Sequence, residues 1–398
     1  MLASNTDRPQ NPGFNSLFAD LLWPFLKLGI LGFGGPAAHI ALMEAEFVGR
    51  RAWLTRTQFL DYLAACNLIP GPNSTEMAIY LGYHRRGRLG AVLAGVSFIL
   101  PAFLIVLAIA WAYVEFGALP QTRGLLAGMK PVILAVILTA ALRLGRSAIT
   151  GLATAALAAA VFGLALLAPV DQVILMVGAG ALLAVGRRLR PALAALVPPL
   201  AFGLGPTIQV GQTGFTGPVE FLVRLGLTFL KVGGLLFGSG YLLVSLLHQE
   251  LVQGTGWLTE RQLLDAITVG QVTPGPVFTT ATFIGYVLGV RYGVGVPGAV
   301  VATVAIFAPA FVLVLLTAPW VPRLRQVRAL TDFLSGVNAA VVALILAVVV
   351  QLAPSTLVAP VAVGVFALST GLLLFTRIDP TLLILVSGIA GLIAHGGG

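Results

Sequence analysis

The chain has 398 residues, of which 58% are hydrophobic and 9% charged, whereas a soluble domain carries about 25% charged residues. That composition excludes an ordinary soluble protein. The formal charge of +9 does not point to nucleic acid, because the basic residues lie in short clusters between apolar runs, without a basic domain or aromatic interleaving. An excess of Lys and Arg in cytoplasmic loops accounts for it better.

In chain order, residues 1–20 form a polar tail in which Asp7 and Arg8 offset one another, with no basic segment leading into a short apolar core and cleavage site. Apolar stretches of roughly spanning length follow, among them Gly90–Trp111, Leu125–Leu142, Ala299–Leu316, Val337–Val350 and Leu357–Phe375. A helix needs about 20 such residues to cross a bilayer, so the hydropathy pattern predicts an all-α integral membrane protein with about ten crossings and additional hairpins. The single cysteine, Cys66, allows no intramolecular disulfide, and the four histidines form no HExxH pattern. No GxxxxGK[ST] loop is present either, so no cofactor is expected and energy must come from ion gradients or a partner.

The strongest internal signal is a repeat. Pro24–Gly29 (PFLKLG) returns as Thr228–Gly233 (TFLKVG), an offset of 204 from Phe25 to Phe229. At the same offset Phe33 meets Phe237, Glu46 meets Glu250, Trp53 meets Trp257, Asp61 meets Asp265, and Pro70-Gly71-Pro72 meets Pro274-Gly275-Pro276. At offset 208, Pro101-Ala102-Phe103 meets Pro309-Ala310-Phe311, Gly128 meets Gly336, and Asp171 meets Asp379. The chain therefore divides into a first copy at 21–190, a Pro/Gly-rich connection at 191–221, and a second copy at 222–398. Matched loops carry opposite charge bias. Arg85-Arg86-Gly87-Arg88 faces a single Arg291, Glu115 and Arg123 face Arg323, Arg325 and Arg328, Arg143 and Arg146 face the uncharged 351–356, and Asp171 faces Arg377 beside Asp379. Four alternating contrasts predict two inverted-topology repeats, with substrate bound near the midplane where the copies meet.

Gly/Pro clusters at membrane depth predict broken or re-entrant helices, because irregular backbone there must line protein or water. Each copy has two. The first is Gly32-Phe33-Gly34-Gly35-Pro36, matched by Phe237-Gly238-Ser239-Gly240, and the second is Pro70-Gly71-Pro72 with Asn73, Ser74, Thr75 and Glu76, matched by Pro274-Gly275-Pro276 with Thr279 and Thr280. Asn67 and Gln271 precede the second break in each copy. Basic residues on both sides of that break in the first copy, Arg50, Arg51 and Arg56 against Arg85–Arg88, favour a hairpin. Helix N-termini exposed at such breaks attract anions. The hydroxyl and amide groups beside them either cap the new half-helix or donate to a ligand. Lys27 and Lys231 lie in apolar runs, where a lysine costs roughly 3 kcal/mol on insertion scales. They either snorkel to the surface or flank a central site as a pair of cations. Glu76 is a candidate counter-ion or proton carrier, although the second copy has Thr280 there. Glu44, Glu46 and Glu250 read as solvated helix ends, His39 as a satisfied helix histidine, and Trp53 and Trp257 as interfacial anchors.

At these residues the sequence resembles the chromate ion transporter family, in which a GFGGP-type motif and a PGP-type motif occur in each of two homologous domains. The resemblance covers essentially the whole chain and includes the FLK element and the Trp-Leu-Thr step at Trp53–Thr55 and Trp257–Thr259. It implies a multi-pass plasma-membrane protein of about ten to thirteen transmembrane segments that expels chromate and confers resistance, with sulfate as a look-alike substrate. The partners expected are thus chromate, sulfate, the lipid bilayer and a second copy of the chain, and not nucleic acid. The substrate-binding set expected from the breaks and the buried polar groups is Lys27, Gly32–Pro36, Asn67, Pro70–Glu76, Lys231, Gly238–Gly240, Gln271, Pro274–Pro276, Thr279 and Thr280. Transport of another small oxyanion, by uptake or exchange, is an alternative, and an intramembrane enzyme using Glu76 or Asp61 is a weaker one. Copy two departs from the pattern, with Ser239-Gly240 in place of Gly35-Pro36 and Val277-Phe278 in place of Asn73-Ser74.

Overall fold

Backbone groups in hydrocarbon must be satisfied within the chain, which helices achieve segment by segment. The computed structural model describes residues 18–186, 217–237, 240–320 and 328–395, and over these it shows fifteen helices and no strand. α1 (Trp23–Leu31) carries Pro24 in its first turn, where the missing N–H is tolerated, and stops at Gly32. Gly34 and Gly35 then take φ of 92° and 76°, a left-handed conformation that glycine adopts without strain. α2 (Gly35–Met43) continues through a π-helical turn, Glu44–Arg50, and runs back along α1, so that Phe25 stacks on Phe47 with centroids 4.8 Å apart.

A second hairpin follows. Thr55 accepts from the Gln58 N–H while Gln58 reaches back to the Thr55 N–H, a reciprocal cap that starts α3 (Arg56–Cys66). Past Pro70-Gly71-Pro72, α4 (Asn73–Phe116) returns beside α3, with Tyr62 stacked on Tyr80 and bonded to His84. Both hairpins stand on one surface. There Arg85 pairs with Asp20 at 2.9 Å and lies over the Trp53 ring at 5.2 Å, and His84 Nε2 donates to the Trp53 carbonyl. The charge pattern's hairpin is thus the arrangement found. α4 leaves helical geometry at Arg86 and Gly87 before its long apolar run. α5 (Pro120–Ala148), α6 (Leu152–Leu167) and α7 (Gln172–Gly186) complete the first set.

The order then recurs as α8 (Pro218–Leu235), α9 (Leu242–Leu247), α10 (Glu260–Val272), α11 (Thr280–Val290), α12 (Gly295–Thr317), α13 (Arg328–Thr356), α14 (Pro360–Phe375) and α15 (Pro380–His395). Local chemistry recurs with it. A π-helical turn at His248–Gly254 matches that at Glu44–Arg50, and Thr259 with Gln262 repeats the α3 cap at the start of α10. Asp171 and Asp379 cap α7 and α15 in the same way, each accepting from an N–H two residues on at 2.7 Å.

Close packing at small residues fixes how these helices sit. A Cβ on Gly29 would strike the Phe98 carbonyl, and one on the matched Gly233 would strike that of Ile306. Gly128 of α5 presses on the Ser387 carbonyl of α15, while Gly336 of α13 presses on the Ala179 carbonyl of α7. α5 therefore packs on α14 and α15, and α13 on α6 and α7, so the two sets of helices exchange their final pairs. α4, α5, α12 and α13 are long and apolar enough to cross a bilayer, and several shorter apolar helices accompany them. The chain is an all-α, multi-pass membrane protein.

This packing gives a direct test. Gly128→Val and Gly336→Val each drive a side chain into a backbone carbonyl and should destabilise the protein by about 1–3 kcal/mol, read as a lower melting temperature in detergent. Gly163→Ala, at a position with open space around its Cβ, should leave melting unchanged.

Candidate functional site

Where a helix breaks, its freed carbonyls and N–H groups need partners from elsewhere. The breaks supply them to each other across the molecule. Gly71 donates its N–H to the Leu236 carbonyl at 2.6 Å, and Gly275 donates to the Gly32 carbonyl at 2.8 Å. Gly275 matches Gly71 and Leu236 matches Gly32, so this is one contact made twice. The surroundings match as well: a Cβ on Gly71 would meet Ala310, and one on Gly275 would meet the equivalent Ala102. His39 Nε2 also donates to the Gly32 carbonyl, at 2.8 Å, while its Nδ1 is buried without a partner, so the satisfied helix histidine expected from sequence is only half satisfied.

Each Pro-Gly-Pro break, Pro70–Pro72 and Pro274–Pro276, thus lies against the first break of the other half, on a seam between the two sets of helices. Gly240 faces Pro36 and Phe278, and Gly34 faces the Asp379 carboxylate. Gly35, Pro36 and Gln271 are half-buried, Phe33 is exposed, and Gly238 and Ser239 lie outside the described residues. Ser74, Thr75 and Glu76 are buried at the start of α4, and neither the Thr75 hydroxyl nor either Glu76 oxygen has a hydrogen-bond partner. Asn73 instead bonds to the exposed Asn67 through Nδ2 at 2.9 Å. Thr279 and Thr280 donate back to the Pro276 and Val277 carbonyls at 2.8 and 2.7 Å, so their protons serve their own turn. The two lysines are not brought to a common point. Lys27 is exposed on the outside of α1, and Lys231 pairs with Glu250 at 2.6 Å and Asp171 at 3.7 Å.

A different cluster of cations lines a cavity to which no described residue of the breaks contributes. This cavity, of about 1320 Å³, opens between the end of α4, the first turns of α5 and α10, and the facing ends of α13, α14 and α15. Its charged lining is Arg123, Lys130, Arg261 and Arg291 against one carboxylate, Asp265. Lys130 Nζ lies 2.8 Å from Asp265 Oδ1, and the Tyr113 hydroxyl donates to Asp265 Oδ2 at 2.9 Å. None of these is in the set expected from sequence. Two signals would have found them: Lys130 is a lone charge inside the apolar run Leu125–Leu142, and Asp265 is the repeat of Asp61. The cluster is made once, because the position matching Lys130 is Asn338. Among the described residues no three His, Cys, Asp or Glu side chains converge as a metal site requires.

A helical multi-pass protein with broken helices meeting on a seam and a basic cavity between its helices has the architecture of a secondary transporter. The chromate transporter family model matches residues 19–185 and 223–392, and the chain belongs to this family. It is 32% identical over 385 residues to a chromate transport protein of Cupriavidus metallidurans, covering 94% of this chain and 92% of that one. It is also 32% identical to a probable chromate transport protein of Synechococcus elongatus, covering 93% of each. An uncharacterized transporter of Methanocaldococcus jannaschii is 26% identical over 97% of this chain and 95% of its own. The relatives are named as transporters, and this chain is a transporter, not an enzyme. No solved structure matches it.

The largely buried Lys130–Asp265 pair should behave as a coupled unit. Lys130→Ala alone leaves a buried carboxylate unpaired and should cost about 3 kcal/mol, whereas Lys130→Ala with Asp265→Ala should recover most of that loss. A double-mutant cycle on melting in detergent measures the coupling.

Proposed function

We propose that this protein exports chromate, a tetrahedral dianion, from the cytoplasm across the plasma membrane and so confers resistance to it. The observation that carries the reading is the cavity between α4, α5, α10 and the last three helices, where four cations face one carboxylate. Family membership and relatives named for chromate transport support it. Asp265 holds Lys130 in the unloaded protein, and an entering dianion competes for that ammonium and for the neighbouring guanidinium groups. α5 and α10 both begin at the cavity, so the positive ends of their dipoles favour an anion there.

From the cavity the oxyanion passes along the broken segments, where Asn73, Ser74 and Thr75 offer polar groups at the start of α4. The inverted relation of the two copies is supported by the four alternating loop charges and by the reciprocal Gly71–Leu236 and Gly275–Gly32 bonds. Opening one of these bonds at a time exposes the seam to one side at a time. Each charge moved outward gains about 2.3 kcal/mol per 100 mV, so the membrane potential alone favours export of a dianion by roughly twice that.

Chromate flux in proteoliposomes with an imposed potential tests the reading. The Lys130→Gln/Asp265→Asn variant removes both charges while keeping hydrogen-bonding groups, and its flux should fall at least about tenfold, equivalent to ~1.4 kcal/mol. Full flux in that variant would remove the cavity from the path. For the inversion, Arg88→Cys and Gly293→Cys, each placed in a protein with Cys66→Ala, should label with an impermeant maleimide from opposite sides of the membrane. Labelling from the same side would overturn it.

A further inference from the structure

Glu76 is a buried ionisable group that neither the seam bonds nor the basic cavity employs. It is 0% exposed, and both of its carboxyl oxygens lack a partner, as does the hydroxyl of the preceding Thr75. The carboxyl group lies against Gly71, so closely that a Cβ on that glycine would collide with it. Among the described residues Cys66 of α3 and Tyr80 of α4 are the titratable groups that face it, and α12 presents Ala310 beside Gly71 and Thr317 to the Tyr80 hydroxyl. The cations are committed elsewhere, Lys130 to Asp265 and Lys231 to Glu250 and Asp171, while Lys27 is exposed on the outside of α1.

An ionised carboxylate in this position would give up its hydration with no cation and no donor to replace it, at a cost of many kcal/mol. The group rests as the neutral acid. Its neighbour Gly71 is half of a seam bond, so the carboxyl group lies where opening of the seam admits water. We propose that Glu76 exchanges one proton with water on whichever side the seam is open, and that this proton crosses with the oxyanion. The inference rests on the reading that the oxyanion passes along the seam. On the releasing side the carboxyl O–H bond breaks, its proton goes to water as hydronium, and the carboxylate keeps the electron pair. On the loading side hydronium returns the proton. A dianion and a carboxylate in one narrow break repel each other, whereas the acid can donate its O–H to the oxyanion, so the two species travel in the same direction. The second copy cannot duplicate this step, because Thr280 stands at the matching position and its hydroxyl is bonded to Val277.

The test uses the full-length protein in proteoliposomes at zero potential, with chromate as the probe and every pH well above the second ionisation of chromic acid. One proton per chromate requires the equilibrium ratio of chromate across the membrane to shift about tenfold per unit of imposed pH difference. In the Glu76→Gln variant the ratio should cease to follow pH. A wild-type ratio indifferent to pH, or a Glu76→Gln ratio that still follows it, overturns the proposal and leaves the transport reading standing. Wild-type vesicles that move no chromate under any gradient would overturn the transport reading itself, and this inference with it. Should Glu76→Gln fail to fold, a hydrophobic carbodiimide on the wild-type protein decides the matter, since it adds to protonated carboxyl groups in apolar surroundings. Peptide mass spectrometry should find Glu76 modified, and an unmodified Glu76 would overturn the proposal.

Discussion

A helix that stops inside a membrane leaves backbone groups that water cannot satisfy, and the whole architecture answers that one requirement. The carbonyls of Gly32 and Leu236 and the N–H groups of Gly71 and Gly275 are such orphans, and each finds its partner in the opposite half of the chain. Two hairpins in each half are therefore held tip to tip by two hydrogen bonds, and Gly71 and Gly275, with positive φ, let the backbones approach closely enough to make them. The buried carboxyl group of Glu76 lies beside the seam that these contacts create.

Much of the backbone plan was legible in the sequence because it is written in residues with unusual steric demands. Glycine and proline mark every break, the Thr-x-x-Gln cap marks α3 and α10, and the 204 and 208 offsets align these features between the halves. The charge of the flanking loops sufficed to favour hairpins. The cavity was harder to see, since its parts come from helices far apart in the chain. Tyr113, Lys130 and Asp265 meet only because α10 packs against α5, and no local pattern encodes that crossing. Lys27 and Lys231 misled for a related reason. Their placement in apolar runs is visible in sequence, but the face of the helix they occupy depends on which neighbour the helix chooses.

The two halves share a backbone plan and differ in their polar side chains. Glu76 stands where the second half has Thr280, and Lys130 stands where it has Asn338. The backbone contacts of the seam are made twice, while the charged groups near it and in the basic cavity are made once.

The exchanged helix pairs carry a consequence for biosynthesis. α6 and α7 find their packing surface on α13, and α14 and α15 find theirs on α5. When the first half leaves the ribosome, Gly180 and its neighbours on α7 have no surface to close against, because Phe333 and Gly336 have yet to be made. The first half must wait in the bilayer, incompletely packed, until the second arrives, and the two halves reach their final form in a single step that ties the earliest helices to the last.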